Sequence, residues 1–118
     1  MPSFGEYLRQ CRERHLSEGD KNYSLRKTAQ RLGIEPSYLS KIERGDFQPP
    51  SEEVIVNMAH DLGEDPDVLL AMAGKLSTDL REIILKRPKL FAQLLRELKE
   101  QPDHAILRIT REVQDGEW

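Results

Sequence analysis

Apolar residues recur at spacings of three and four from one end of the chain to the other, and no stretch of strand length alternates apolar with polar. This pattern predicts helices throughout and an all-α fold. The first helix opens at about Ser3, a capping hydroxyl with Glu6 three residues on, and carries Phe4, Tyr7, Leu8 and Cys11 on one side to about His15. Residues 17–23 hold turn formers without periodicity and are expected to form an exposed loop. Ser24 caps a second helix with Leu25, Thr28, Ala29 and Leu32 inward, and Gly33 stops it. Ile34 is a buried turn residue, Glu35 stands at a cap position, and Pro36 enters the first turn of a third helix, where its missing N–H costs nothing. That helix runs to about Arg44 and ends at Gly45; Pro49 and Pro50 then keep the chain extended.

Ser51 caps a fourth helix, with Glu52 and Glu53 in its positive first turn and Val54, Ile55, Met58, Ala59 and Leu62 on its apolar side. Asp65 and Pro66 open a short fifth helix ended by Gly74. These five helices define a first domain over residues 1–75. The remainder, 76–118, reads as three short helices at 78–86, 88–100 and 102–114, separated by prolines. Its apolar residues are too numerous to stay exposed and require a partner surface. Folding back on the first domain is one solution. The Leu- and Ile-rich composition favours self-association, through Leu90, Phe91, Leu94, Leu95, Leu98, Ile106 and Ile109. Trp118 either is free or packs in such an interface.

Composition narrows the function. At 118 residues the chain has no room for a large enzyme fold, and no His, Cys, Ser or carboxylate cluster suggests catalysis. The single cysteine, Cys11, lies on an apolar face and rules out an internal disulfide or a thiolate metal centre. His15, His60 and His104 lack ligand spacing and read as surface histidines, so neither metal nor cofactor is expected. The longest apolar runs are too short for a membrane span, and the N-terminal residues do not form an export signal, which points to a reducing cytoplasm.

The net charge of −3 opposes binding to a polyanion, yet its distribution does not. Residues 1–50 hold nine Lys or Arg against seven Asp or Glu, 51–75 hold one against six, and 76–118 hold eight of each. The acidic excess therefore sits after the third helix.

Residues 24–45 supply every part of a helix-turn-helix: a first helix ending in a flexible residue, a tight turn, and a second helix that packs by one face and leaves the other for the DNA major groove. Ala29 is small where two helices cross, Gly33 can adopt a left-handed turn, Ile34 plugs the corner, Leu39 and Ile42 anchor the second helix, and Gly45 ends it. Outward positions fall to Ser37, Tyr38, Ser40 and Lys41, candidates for base contact, because short hydroxyls allow close approach and a lysine can donate to guanine. Ser24, Arg26, Lys27 and Arg44 are candidate phosphate contacts. Glu43 reads as structural, tying the third helix to the domain through Arg26, Arg31 or backbone donors.

At these residues the chain resembles the lambda repressor/Cro family, also called the Xre family. The resemblance covers roughly residues 4–72 and is most specific in Ser24-Leu-Arg-Lys-Thr-Ala-Gln-Arg-Leu-Gly-Ile34, Ser37-Tyr-Leu-Ser-Lys-Ile-Glu-Arg-Gly45, Pro49-Pro-Ser51 and Met58-Ala-His-Asp-Leu-Gly63. It implies a five-helix domain that binds double-stranded DNA as a homodimer, on half-sites about one helical turn apart, in a bacterial or phage-encoded transcriptional repressor. Three features depart from the family. The loop after the first helix is long, placing Lys21 and Tyr23 near the DNA backbone or, as we favour, forming tolerated surface. Leu25 stands where the family often has a phosphate-anchoring Gln, so that contact passes to Ser24, Arg26 or backbone N–H groups. Asp46-Phe-Gln48 replaces an often basic loop, which makes affinity depend more on dimerisation. A reading from another class is an antitoxin or adaptor whose C-terminal helices bind a partner protein.

Overall fold

Hydroxyl and carboxylate caps start most of the helices of the first unit. The Ser3 hydroxyl accepts from the Glu6 amide at 3.3 Å and opens α1 (Phe4–Ser17). Ser24 does the same for the Lys27 amide at the head of α2 (Leu25–Leu32). Pro36 begins α3 (Pro36–Arg44), and α4 (Glu52–Leu62) follows Ser51, which holds the cap position without a side-chain capping bond. The Asp65 carboxylate caps α5 (Pro66–Met72). Three further helices, α6 (Thr78–Lys86), α7 (Pro88–Leu98) and α8 (Asp103–Asp115), complete the order. The computed structural model describes residues 1–116, all-helical with no strand among them; Trp118, and with it the choice between a free and a packed terminus, lies outside the described residues.

The chain forms two units, Met1–Thr78 and a second beginning at Asp79. In the first, the inward residues of α1 to α5 converge on one core, where Leu8, Leu39, Ile42, Ile55, Met58, Leu69 and Leu70 are all buried. Each such side chain contributes roughly 1.5–3 kcal/mol relative to exposure, so this cluster supplies the main stabilisation of the unit. Ile34 is half-buried against it rather than fully enclosed. Ala29 is fully buried, as the close crossing of helices requires. An unforeseen close approach involves Gly5: a Cβ there would stand 2.3 Å from the carbonyl oxygen of Ile42 and 2.7 Å from that of Glu43, so α1 meets the end of α3 backbone to backbone.

The segment between α1 and α2 is exposed over residues 17–22, as expected, but it is ordered around Tyr23. Asp20 caps a single 3₁₀ turn, Lys21–Tyr23, and Tyr23 is half-buried. The Tyr23 hydroxyl donates to the Asp61 carbonyl at 2.9 Å, and its own carbonyl accepts from Arg12 at 3.1 Å. His15 stacks on the Tyr23 ring at 4.1 Å and bonds the Leu62 carbonyl at 2.9 Å, so it is a packing residue and not the surface histidine its spacing implied. The segment is thus a strap joining α1, α2 and α4.

In the second unit, α6, α7 and α8 are amphipathic, and none of them has a buried residue. Leu90, Leu94, Leu95, Ile106 and Ile109 are exposed, while Phe91 and Leu98 are half-buried. No helix of the described residues is long and apolar enough to cross a membrane.

Candidate nucleic-acid interface

The turn between α2 and α3 is made by Gly33 in the left-handed region, φ 69°, which lets the Ile34 amide donate back to the Ala29 carbonyl at 3.0 Å. This closes α2 and aims α3 away from it. The inner side of α3 is fixed twice over. Leu39 and Ile42 enter the core, and Glu43, itself buried, receives two parallel bonds from Arg12: Nε to Oε2 at 2.8 Å and Nη2 to Oε1 at 2.9 Å. A bidentate pair of this kind constrains orientation as well as distance. The partner of Glu43 is therefore Arg12 of α1, and neither Arg26 nor Arg31. Arg31 instead pairs with Asp61 of α4 at 2.7 and 3.1 Å, and also donates to the Asn22 carbonyl.

With one face locked, the opposite face of α3 carries Ser37, Lys41 and Arg44 at i, i+4 and i+7, with Tyr38 beside them; Ser37, Lys41 and Arg44 are exposed, and Tyr38 is half-buried. Ser40 flanks this stripe on the side away from Tyr38, three residues from Ser37 and four from Arg44. It is half-buried and lines a cleft with Arg9, Arg12, Leu25, Glu43 and Arg44. Leu25, partly buried against the core, thus closes the side of this cleft at the head of α2. Of the phosphate candidates, the Ser24 oxygen accepts from the Lys27 amide in the α2 cap and keeps its O–H to donate, while Arg26 and Lys27 are exposed.

Ion pairing sorts the cations. Arg9, Arg12, Arg14, Arg31 and Arg44 each meet a carboxylate, those of Glu13, Glu43, Glu64, Asp61 and Asp46 respectively. Arg26, Lys27 and Lys41 form no ion pair among the described residues, so the positive charge left uncommitted on α2 and α3 lies within the helix-turn-helix itself. The Arg44–Asp46 pair, at 3.3 Å and with both side chains more than half exposed, is weak enough to exchange for a phosphate. Among the described residues no group of His, Cys, Asp and Glu is placed to hold a metal ion.

Phe47 escaped the sequence reading. Its ring is 47% exposed, its centroid is 5.8 Å from that of Tyr38, and the Lys41 ammonium lies 5.2 Å over it. The signal was a large apolar residue in a polar, proline-bounded loop.

The capped helix, glycine turn and core-anchored second helix define a helix-turn-helix protein. The chain matches the family of helix-turn-helix domains over residues 3–72, and it belongs to that family, in its lambda-repressor-like or Xre type. No similar curated protein and no similar solved structure was found. The family assignment supports a DNA-binding regulator, in a group that is typically non-enzymatic.

Proposed function

We propose that the protein is a sequence-specific transcriptional repressor that binds an inverted-repeat operator as a homodimer. The observation that carries this reading is the division of α3 into a locked face and a free one: Leu39, Ile42 and the Arg12–Glu43 pair hold the helix, Ser37, Lys41 and Arg44 stand clear of the core, and the half-buried Tyr38 lies at the edge between the two faces. A major groove admits one helix and offers base edges to side chains of these types. Ser37, Tyr38 and Lys41 read bases, with Ser40 at the margin of the contact. Arg26, Lys27 and Arg44 hold phosphates, assisted by the head of α2 behind Ser24.

The second unit supports the dimer, with a second copy of the chain as the partner of its apolar faces. The apolar faces of α7 and α8 are left open at Leu90, Leu94, Leu95, Ile106 and Ile109, and the equal numbers of acids and bases in 76–118 place no net repulsion between two copies. A self-complementary face produces the twofold symmetry that a palindromic operator demands. The test is selection of bound fragments from random DNA, followed by titration of the selected site against salt. The expected result is an inverted repeat, with affinity falling steeply as salt rises. Recovery of no preferred sequence would overturn the reading.

A further inference from the structure

Gly45 leaves α3 at φ 79°, and the Asp46 amide donates back to the Lys41 carbonyl at 2.9 Å, so the direction of the following loop is set by a closed helix end. Pro50 is buried at the far side of the loop. Between these two anchors, Phe47 is outside the buried core, yet its ring returns to α3. The Tyr38 ring meets it at 5.8 Å and 49°, within the range of favourable aromatic contacts, and Lys41 sits over its face at 5.2 Å. Tyr38 and Lys41 are three residues apart on one helix, and both belong to the base-reading set proposed above.

We infer that Phe47 is a positioning residue for base recognition, holding Tyr38 and Lys41 in the conformations that meet the bases; this rests on the reading of α3 as the DNA-contacting helix. A free lysine side chain loses much rotamer entropy when it is fixed against a base. A ring that already confines it removes part of that loss before DNA arrives, which is preorganisation. Phosphate contacts gain nothing from this, so the benefit falls on the correct sequence only.

The test uses the full chain and the site that wild type selects from random DNA. Replacing Phe47→Ala weakens the selected site about tenfold, the combined worth of an exposed cation–π contact and an aromatic pair, and leaves a scrambled duplex and the salt slope unchanged. Phe47→Tyr, which retains the ring, restores binding to within about threefold of wild type. In a background with both Tyr38→Ala and Lys41→Ala, Phe47→Ala costs much less than it does alone, because both side chains it positions are gone. An undiminished loss in that background would make Phe47 a direct DNA contact, and an equal loss on both duplexes a backbone contact. A thermal midpoint several degrees below wild type would make it part of the fold. Each of these results overturns the inference, as does unchanged binding by Phe47→Ala at a site wild type selects. Failure of wild type to select any site would instead remove the DNA reading itself.

Discussion

Lys41 and Arg26 carry the same charge on adjacent helices, and the proposed reading gives them different work. Lys41 lies on the outer stripe of α3 beside Tyr38, whereas Arg26 is an exposed residue in the first turn of α2. Lys41→Ala is therefore expected to cost about 1–3 kcal/mol at the selected site and to broaden the base preference there, while Arg26→Ala weakens all sequences alike and lowers the salt slope by about one. Repeating the selection and the salt titration with each variant separates the two roles. Cys11 illustrates a residue whose chemistry is suppressed by its place. Burial, reinforced by the bond its thiol donates to Glu64 at 2.8 Å, pushes the thiol up from 9.0 to about 11, with Arg14 opposing. Because the folded value is the higher one, the neutral thiol contributes stability that is complete below about pH 9 and is lost as pH rises through about 11. Two outcomes follow: Cys11 reacts far more slowly with a thiol reagent at pH 8 in the folded protein than in urea, and Cys11→Ala loses less stability than wild type between pH 9 and 11.

At the scale of helices, the order and the starts of α1 to α5 were legible because the signals are local: a capping hydroxyl at Ser3 or Ser24, a left-handed glycine at Gly33 or Gly45, an apolar period between them. Contacts between helices were not. The Arg12–Glu43 pair joins residues 31 apart. Its trace in the sequence is only that Arg12 shares the inner face of α1 with Leu8 and Cys11, where an unpaired charge would not be tolerated. Gly5 likewise lies beside Phe4 on that face, and a glycine in a first turn says nothing by itself about the carbonyls it will meet. Both positions support the same joint between α1 and α3, and both are testable. Arg12→Ala or Glu43→Ala strands a buried charge and is expected to cost about 3–5 kcal/mol in urea unfolding, whereas replacing both residues with apolar side chains recovers most of it. Gly5→Ala forces the helices apart and costs about 1–3 kcal/mol. If either single replacement at the ion pair proved neutral, the orientation of α3 would have to rest on the core alone.

For the whole molecule, the proposed DNA binding has to be reconciled with a net charge of −3. In the first unit all the arginines but Arg26 are paired with its own acids, which halves the cations left for phosphate. On the proposed reading a single copy therefore has a shallow electrostatic hold, and affinity is gained by joining two of them. When the second half-site is contacted by a tethered copy, its binding becomes intramolecular and the effective concentration multiplies the weak individual affinities. On the proposed reading the apolar faces of α7 and α8 are the means of that joining, since Leu90, Leu94 and Leu95 on one helix and Ile106 and Ile109 on the other are exposed. A paired substitution Leu94→Glu with Leu95→Glu in the full chain places charge in the proposed interface without touching the first unit. Light scattering is expected to change from twice the 13.7 kDa chain mass to a single chain, with the helical signal of the first unit retained. Operator affinity should fall by a factor of about a hundred or more, the scale lost with bivalency, while binding to an isolated half-site stays the same. A variant that remains dimeric would place the twofold contact elsewhere in the chain, and one that becomes monomeric yet keeps full operator affinity would show that a single domain suffices despite its sparse charge.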